Sequence, residues 1–257
     1  MKSSTAFSTI GSQAILLVGE PKSGKSNLAL AFPDPAIIDW DLNLASAVRR
    51  APGKTFDYCQ PGINDNGTQR PDSEQWSYAV KETQAICKDP RYKTIIVDGL
   101  TLMANAICNH IVGEGQRAGS NKTGKMELQN YADLSRLLRA YIMMVRSSGK
   151  YLVVTSHQVG DKDEATGAYR YVLSIPGSSK DTLGGCFTDV WATVARLKGM
   201  SDVVYEIRTK PSGQHIALGA SFPIDSSIDV TNKTPAQVWA LLEPKIVGTP
   251  AAVPIKS

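Results

Sequence analysis

The sequence predicts an α/β domain: a mostly parallel sheet flanked by helices, with antiparallel strands toward the C-terminal end. Three observations lead to this class. Short apolar runs alternate with segments of helical periodicity between residues 14 and 158. A glycine-rich turn joins the first apolar run to a helical segment. Residues 190–196 and 203–209 alternate in polarity, which is typical of antiparallel strands.

The composition is that of an ordinary globular chain. Of the 257 residues, 42% are hydrophobic and 20% charged, and the net charge of +4 is compatible with a nucleic-acid partner without indicating one. The four cysteines and three histidines are scattered, so we expect reduced thiols and no zinc site. No apolar run would span a membrane and no signal peptide is recognisable, which predicts a soluble, cytoplasmic protein. Residues 1–247 are interpreted as one domain and residues 248–257 as a flexible tail.

Residues 19–26 fit the phosphate-binding pattern G-x-x-x-x-G-K-[ST] without a mismatch. An apolar run precedes them, and residues 27–32 can open a helix, as this motif requires. The glycines let the backbone wrap around phosphate oxygens. Lys25 can reach the β- and γ-phosphates, and the Ser26 hydroxyl can ligate Mg²⁺. The predicted nucleotide-binding residues are Gly19, Glu20, Pro21, Lys22, Ser23, Gly24, Lys25, Ser26 and Asn27.

Two further apolar runs end in carboxylates. Residues 36–41 read as a buried strand ending with Asp39 and Asp41, which strand alternation places on one side. Either can serve Mg²⁺ or a water molecule, or be a simple loop carboxylate. Residues 94–98 form an apolar, β-branched strand ending in Asp98. That is the Walker B pattern, whose carboxylate holds Mg²⁺.

The helical segments follow from periodicity and capping. Asp72 with Gln75 predicts a capping box. The apolar stripe behind it, from Trp76 to Ile86, is interpreted as core. A second amphipathic stripe from Leu128 to Val145 predicts a helix packed on the sheet. Near the end of the sequence a capped closing helix is predicted, with Thr234 as N-cap, Pro235 at the first helical position and Gln237 at the third.

Two segments carry cations that can meet nucleic acid. Residues 110–125 are predicted to be a mobile, glycine-rich loop with Arg117, Lys122 and Lys125, which either touches a phosphate backbone or is simply solvated. Residues 159–185 combine cations with aromatic side chains, a mixture suited to single strands. An ordinary hairpin with its turn at residues 166–167 is the alternative, and both can hold. The residues concerned in this second segment are Lys162, Tyr169, Arg170, Tyr171 and Lys180.

Between them, residues 151–158 form a further buried strand with a polar tip. In a parallel sheet this tip lies beside the γ-phosphate, so His157 or Gln158 can sense the state of the nucleotide.

In these motifs and their order the chain resembles the RecA-like P-loop ATPases, most closely the phage single-strand annealing recombinases of the Sak group. The resemblance runs from about residue 10 to residue 242. It implies that Asp41, one methylene shorter than the catalytic Glu of the family, orients the attacking water. It implies that Gln158 is the γ-phosphate sensor, with His157 as the register alternative. Arg208 or Lys210 resembles the basic residue that a neighbouring subunit contributes, and Phe7 the polymerisation segment.

The resemblance therefore implies an ATP-dependent protein that binds and anneals single-stranded DNA, with slow, DNA-stimulated hydrolysis. Lys25, Asp41 and Gln158 would be catalytic, and Ser26 and Asp98 would hold Mg²⁺. The implied partners are single-stranded DNA, further copies of the chain in a ring or filament, and a single-strand binding protein, in a bacterial host cell. One alternative is a nucleotide-gated protein-binding switch without a DNA role. A small-molecule kinase is disfavoured because no Arg-rich lid is recognisable.

Overall fold

The structure is a computed structural model that describes residues 13–51, 53–121, 123–162, 167, 169–199, 202–215 and 217–247. Phe7, Lys122 and the predicted tail at 248–257 lie outside the described residues. The strands are β1 Ala14–Gly19, β2 Pro35–Asp39, β3 Asp57–Cys59, β4 Thr94–Asp98, β5 Tyr151–Lys162, β6 Tyr169–Leu173, β7 Asp189–Lys198, β8 Asp202–Arg208 and β9 Ser227–Asp229. The helices are α1 Lys25–Ala29, α2 Leu44–Arg50, α3 Asp72–Lys88, α4 Leu100–Arg117, α5 Asn130–Ser147, α6 Ser179–Thr182 and α7 Pro235–Ile246, with a 3₁₀ helix at Leu183–Cys186.

The strands form one nine-stranded sheet in the order β3-β2-β4-β5-β1-β7-β8-β9, with β6 paired to β5. The strands from β3 to β7 in this order run parallel, whereas β8 and β9 continue antiparallel. The outer half of β5 also pairs antiparallel with β6, so β5 and β6 form a hairpin that extends beyond the sheet. The predicted α/β class is confirmed.

Helices cover both faces of the sheet, which explains why the central strands are apolar along their whole length. All residues of β1, β2 and β4 are buried. Side chains on one face pack with α3, α4 and α5, and those on the other pack with α1, α2 and α7. Within the described part of the chain, no helix combines the length and apolar character needed to cross a bilayer.

The closing helix α7 begins as predicted. The Thr234 hydroxyl accepts a hydrogen bond from the Gln237 amide at 3.3 Å, and the Gln237 side chain accepts one from the Thr234 amide at 2.9 Å. Pro235 takes the first helical position, where no amide hydrogen is needed. The amides of Thr234 and Gln237 are therefore satisfied by residues of the helix start itself.

The predicted loop at 110–125 is wrong in its first half, because α4 continues to Arg117. A glycine in a helix interior destabilises the helix by about 1 kcal/mol relative to alanine. At two positions of α4, however, close packing leaves no room for a larger residue. A side chain at Gly113 would lie 3.3 Å from the Ser73 Cβ, and one at Gly115 would lie 2.8 Å from the Asn121 Cβ. The remaining turn is built around the buried Asn121 side chain, which bonds to backbone groups of residues 123, 124 and 125.

Two further details differ from the predictions. The capping box at α3 does not form: Pro71 precedes the helix, and the Gln75 amide donates instead to the Asp72 carboxylate at 3.0 Å. Leu128 does not belong to the apolar stripe of α5, which starts at Asn130, and it is 90% exposed. Both errors concern helix starts, where the chain direction is set by packing beyond the local sequence.

Candidate functional site

The site lies where four neighbouring parallel strands end. The register places Asp39 opposite Asp98, Asp98 opposite Thr155, and His157 opposite Gly19. The predicted loop at 19–26 thus lies beside the acidic ends of β2 and β4. The carboxyl edge of a parallel sheet is the usual location for ligands in such folds.

Strand β7 supports the loop from its other side. The Ser23 and Thr193 hydroxyls are hydrogen-bonded at 2.6 Å. A side chain at Gly19 would lie 2.5 Å from the Thr193 carbonyl oxygen, so only glycine fits this close approach. Gly24, with φ of 98°, turns the chain into α1. The loop is therefore held in shape by contacts within the chain.

Lys25 is buried within the loop that it terminates. Its ammonium group donates to the carbonyl oxygens of Gly19 at 3.0 Å and Glu20 at 2.8 Å. Burial lowers the pKa of Lys25, while the carboxylates of Asp98 and Asp41 act in the opposite direction. The cation is thus placed at the centre of the loop and directed inward, as phosphate binding requires.

Asp98 joins the loop to the sheet. Its Oδ1 accepts hydrogen bonds from the Ser26 hydroxyl at 3.1 Å and from the Thr155 hydroxyl at 2.5 Å. A hydroxyl beside a carboxylate is a donor set suited to Mg²⁺, which takes one or two protein oxygens and completes its shell with phosphate and water. Thr155 was not predicted as a site residue, since the register that brings it to Asp98 cannot be read from its own strand.

Asp41 and His157 meet at the same end of the site. The His157 Nε2 lies 3.7 Å from the Asp41 Oδ2. Burial raises the pKa of Asp41, assisted by the charge of Asp98. Burial also lowers the pKa of His157, assisted by Lys25. Both pKa shifts disfavour the charged forms, and the oxygens of Asp41 and the ring nitrogen of His157 lie close enough to contact one water molecule.

Gly99 determines how closely the acidic loops approach each other. Its φ of 106° is left-handed, and its amide donates to the Thr155 hydroxyl at 2.9 Å. A side chain at this position would collide with the Asp41 carboxylate. The turns after β2 and β4 are consequently in direct contact.

Gln158 lies apart from this group. Successive strand residues face opposite sides, so Gln158 faces away from the side occupied by His157. It lines a cavity of about 130 Å³ together with Tyr171, His215 and the loop residues Glu20 and Pro21. The structure therefore places His157, not Gln158, beside Asp41.

Asp39 does not share the environment of Asp41, because β2 ends at Asp39 and the predicted alternation stops there. It is fully buried, and its Oδ2 accepts a hydrogen bond from the Gln60 amide at 2.8 Å. Burial raises its pKa to about 6; the charge of Asp98 adds to this, and the Gln60 hydrogen bond opposes it. Asp39 is a buried carboxyl behind the site.

We expect the free energy of unfolding to fall as the pH rises from about 4 to about 6, because of the buried carboxyl group of Asp39. The folded state retains the Asp39 proton in this range, whereas the unfolded chain loses it near its ordinary pKa of 3.8. The difference corresponds to roughly 2–3 kcal/mol of unfolding free energy.

Asp39→Asn should therefore be more stable than the parent protein at pH 8, by up to this amount, and the stabilities of the two proteins should converge toward pH 4. Urea unfolding in magnesium-free buffer at several pH values measures this. An equal pH dependence in both proteins would contradict it.

The β5–β6 hairpin carries an aromatic cluster. The Tyr171 ring stacks on His215 with centroids 4.7 Å apart, and the Tyr169 ring contacts the Tyr171 ring edge-on at 6.0 Å. Tyr169 covers Gly160, where a side chain would overlap the ring, and remains 48% exposed. The two paired strands of the predicted hairpin are thus present, with an aromatic surface near their outer end, while residue 166 of the predicted turn lies outside the described residues.

Several of the cations predicted to meet DNA are paired with carboxylates. Arg170 lies 3.0 Å from Asp181 and 3.6 Å from Asp161, which Lys180 also approaches at 3.3 Å. Arg117 pairs with Glu114 within α4. Lys125 and Lys162 are exposed. The positive charge of the hairpin is therefore partly compensated.

The two residues predicted to act on a neighbouring subunit lie at and just beyond the end of β8. Arg208 is 3.9 Å from Glu206, which also pairs with Arg196. Lys210 is exposed before the turn at residues 211–213. Both lie on the opposite flank of β1 from Asp41 and Asp98.

A protein-family profile described as "AAA domain" matches residues 12–218. This is about four fifths of the chain and includes the loop, both acidic strand ends and the aromatic hairpin. A comparison with curated proteins found none that matches the chain.

Proposed function

The chain belongs to the AAA-domain family of P-loop ATPases, and from this premise we propose that it is an ATP-dependent protein that binds and anneals single-stranded DNA. The group it resembles is that of the Sak phage recombinases. One observation carries the proposal furthest. Strand β5 bears Thr155 and His157 at the nucleotide site and then continues into the aromatic hairpin.

In this proposal the loop residues 19–27 surround the phosphates of ATP. Lys25 exchanges its carbonyl partners for phosphate oxygens, and Gly19 and Gly24 keep the backbone close to them. Ser26 and Asp98 would hold Mg²⁺, for which their oxygens are suitably placed. The bound ion would supply positive charge to the phosphates during transfer. Thr155 orients the Asp98 carboxylate by its hydrogen bond.

Asp41 is the proposed water-orienting base. It is the carboxylate in contact with His157, while Asp98 is engaged with Ser26 and Thr155. His157, whose Nε2 lies 3.7 Å from the Asp41 Oδ2, is proposed to help position that carboxylate. Gln158 is proposed to link the loop residues Glu20 and Pro21 to Tyr171. Its proposed role is thus to couple the phosphate loop to the aromatic hairpin.

Single-stranded DNA is proposed to bind on the hairpin by base stacking on Tyr169 and Tyr171. Stacking tolerates any base, which is what an annealing protein requires. The paired state of Arg170 and Lys180 leaves Lys162 and Lys125 as the main phosphate contacts. We expect the affinity for DNA to fall only gradually as the salt concentration rises. Each phosphate neutralised on a single strand contributes only about −0.7 to the slope of log K against log salt concentration.

Assembly of several copies is part of the proposal. Arg208 or Lys210 would then complete the ATP site of a neighbouring copy, as basic residues in such assemblies do. Residues 1–247 are proposed to fold as one domain, and a single-strand binding protein would be a natural supplier of the DNA strand.

The first test uses Tyr169→Ala with Tyr58→Ala as the matched control, since Tyr58 is 60% exposed on the far edge strand β3. Loss of one stacking ring should weaken binding of a fluorescent oligothymidylate by about 1–3 kcal/mol. The control should bind like the parent protein. Fluorescence anisotropy at low salt measures both, and equal affinities in all three proteins would remove the hairpin as the strand site.

A second candidate function is a nucleotide-gated switch that binds another protein. It is favoured by the internal ion pairs of Arg117, Arg170 and Lys180, which give these cations structural partners. ATP hydrolysis with and without single-stranded DNA separates the two functions. Stimulation by DNA supports annealing, whereas hydrolysis indifferent to DNA, with no strand binding at low salt, supports the switch.

A further inference from the structure

A cavity of about 390 Å³ lies just beyond the carboxyl end of β2, between the loop that precedes α3 and the first half of α4. Its lining comes from four segments of the chain: Trp40 and Leu42 after β2, residues 62–69, Gln75 from α3, and residues 102–109 of α4. Its volume is within the range of small-molecule sites. Among the described residues, none of those proposed above for nucleotide binding or hydrolysis lines it.

The lining is uncharged and rich in carboxamides. Its amide side chains are those of Gln69, Gln75, Asn105 and Asn109. In the part of the chain that the structure describes, no charged side chain lines the cavity. A phosphate, a carboxylate or an ammonium group would therefore lose water without gaining a counter-charge there. The chemistry favours a neutral ligand with hydrogen-bonding edges, since each carboxamide offers both donors and an acceptor.

The apolar part of the lining suits the faces of a ring. Ala106 is buried, whereas Leu42 is 50% and Leu102 is 44% exposed. Leu42 also has a φ of 53°, a left-handed conformation that is uncommon for a residue other than glycine. Aliphatic side chains for the faces of a flat ring, together with carboxamides for its edges, are the usual composition of a site for a neutral heterocycle.

Trp40 provides a second, independent indication of a ligand. It lines the cavity and is only 5% exposed, yet its Nε1 has no hydrogen-bond partner among the residues that the structure describes. A buried N–H group nearly always has an acceptor. An aliphatic side chain from a partner protein would leave this donor unsatisfied, at a cost in binding. The ring nitrogens and carbonyl oxygens of a nucleobase are acceptors of the required kind.

Trp40 also connects the cavity to the proposed hydrolysis site. Its backbone amide donates to the carbonyl oxygen of Asp98 at 2.9 Å, and the next residue is Asp41. Only β4 separates β2 from β5, so the spacing of strands puts the ends of β2 and β5 about 10 Å apart. The cavity and the start of the aromatic hairpin therefore share one edge of the sheet.

We propose that this cavity receives one base of the bound single strand, unstacked from its neighbours, with the Trp40 indole and the Asn105 carboxamide as its hydrogen-bond partners. The inference rests on the proposed binding of single-stranded DNA and adds a base site separate from Tyr169 and Tyr171. Because a carboxamide can present either a donor or an acceptor, the site accepts any base. Its contribution to affinity is independent of salt, since no phosphate is neutralised there.

Photochemical crosslinking of the wild-type protein is the first test. The probe is an oligothymidylate in which one thymidine is replaced by 5-iododeoxyuridine. We expect crosslinks in peptides containing residues 40–42 or 102–109. Crosslinks confined to other peptides, such as those containing residues 169–173, would overturn the base site and leave the annealing function standing. Absence of any strand binding at low salt would overturn both.

The second test compares Asn105→Ala with Lys125→Ala in binding of oligothymidylate over a range of salt concentrations. Asn105→Ala should weaken binding at least about fivefold at every salt concentration, the scale of a lost base contact, with the parent's salt slope. Lys125→Ala, which removes a proposed phosphate contact, should instead reduce the slope by about 0.7.

The controls for this comparison are Gln84→Ala and Asn105→Gln. Gln84 is an exposed carboxamide on α3 that does not line the cavity, and its removal should leave binding unchanged. Asn105→Gln retains a carboxamide and should recover most of the affinity. Parent-like affinity in Asn105→Ala, a reduced salt slope in that variant, or an equal loss in Asn105→Gln would overturn the assignment.

Discussion

Lys25→Ala is expected to reduce the turnover of ATP hydrolysis by at least about a hundredfold. The reason is electrostatic: a buried cation that faces developing phosphate charge acts in a low dielectric, where removing one such group costs about 10²–10³ in rate or more. Lys25 is only 7% exposed and is held by the carbonyl oxygens of Gly19 and Glu20. Steady-state phosphate release measures the effect.

Lys25→Met and Lys81→Ala complete this experiment. The first retains most of the aliphatic stem, so a loss in both Lys25 variants follows from the charge and not from altered packing. The second removes an exposed lysine on α3, remote from the loop, and should behave like the parent protein. Thermal unfolding verifies that all three are folded. More than a tenth of the parent turnover in Lys25→Met would contradict the proposed role.

Asp41→Asn is expected to lower kcat by about 10²–10⁴, the usual contribution of a general base, while the KM for ATP changes little. The amide retains the shape of the carboxylate but cannot accept a proton from water. The Asp41 Oδ2 lies 3.7 Å from the His157 Nε2, so both groups can contact the same water molecule.

The control for Asp41 is Asp65→Asn, which changes an exposed carboxylate in the loop before α3. Single-turnover measurements should show a slowed chemical step in Asp41→Asn and a normal one in Asp65→Asn. Normal chemistry in Asp41→Asn together with a loss in His157→Ala would transfer the assignment to the histidine.

The parts of the fold that could be predicted are those whose cause is local. An apolar strand that ends in a glycine-rich loop, or in Asp98, carries its own signal in consecutive residues. The same holds for Thr234, Pro235 and Gln237, whose capping pattern was predicted and is present. In each of these cases neighbours in the sequence are also partners in the structure.

The features that could not be predicted depend on residues that are distant in the sequence. The glycines in α4 look like a loop until their contacts with Ser73 and Asn121 are known. The choice between His157 and Gln158 depends on which face of β5 meets Asp41, which strand alternation alone leaves open. The cavity lined by Trp40 combines residues from four segments of the chain, so no local pattern could have indicated it.

Gly99 has a consequence for how this sequence can change. The space that a methyl group would occupy at position 99 is already taken by the carboxylate of residue 41. A larger residue at position 99 is therefore compatible with this arrangement only if residue 41 loses its carboxylate or moves, and either change alters the negative charge that faces the loop lysine. Positions 41 and 99 are thus not free to vary independently, although 58 positions separate them.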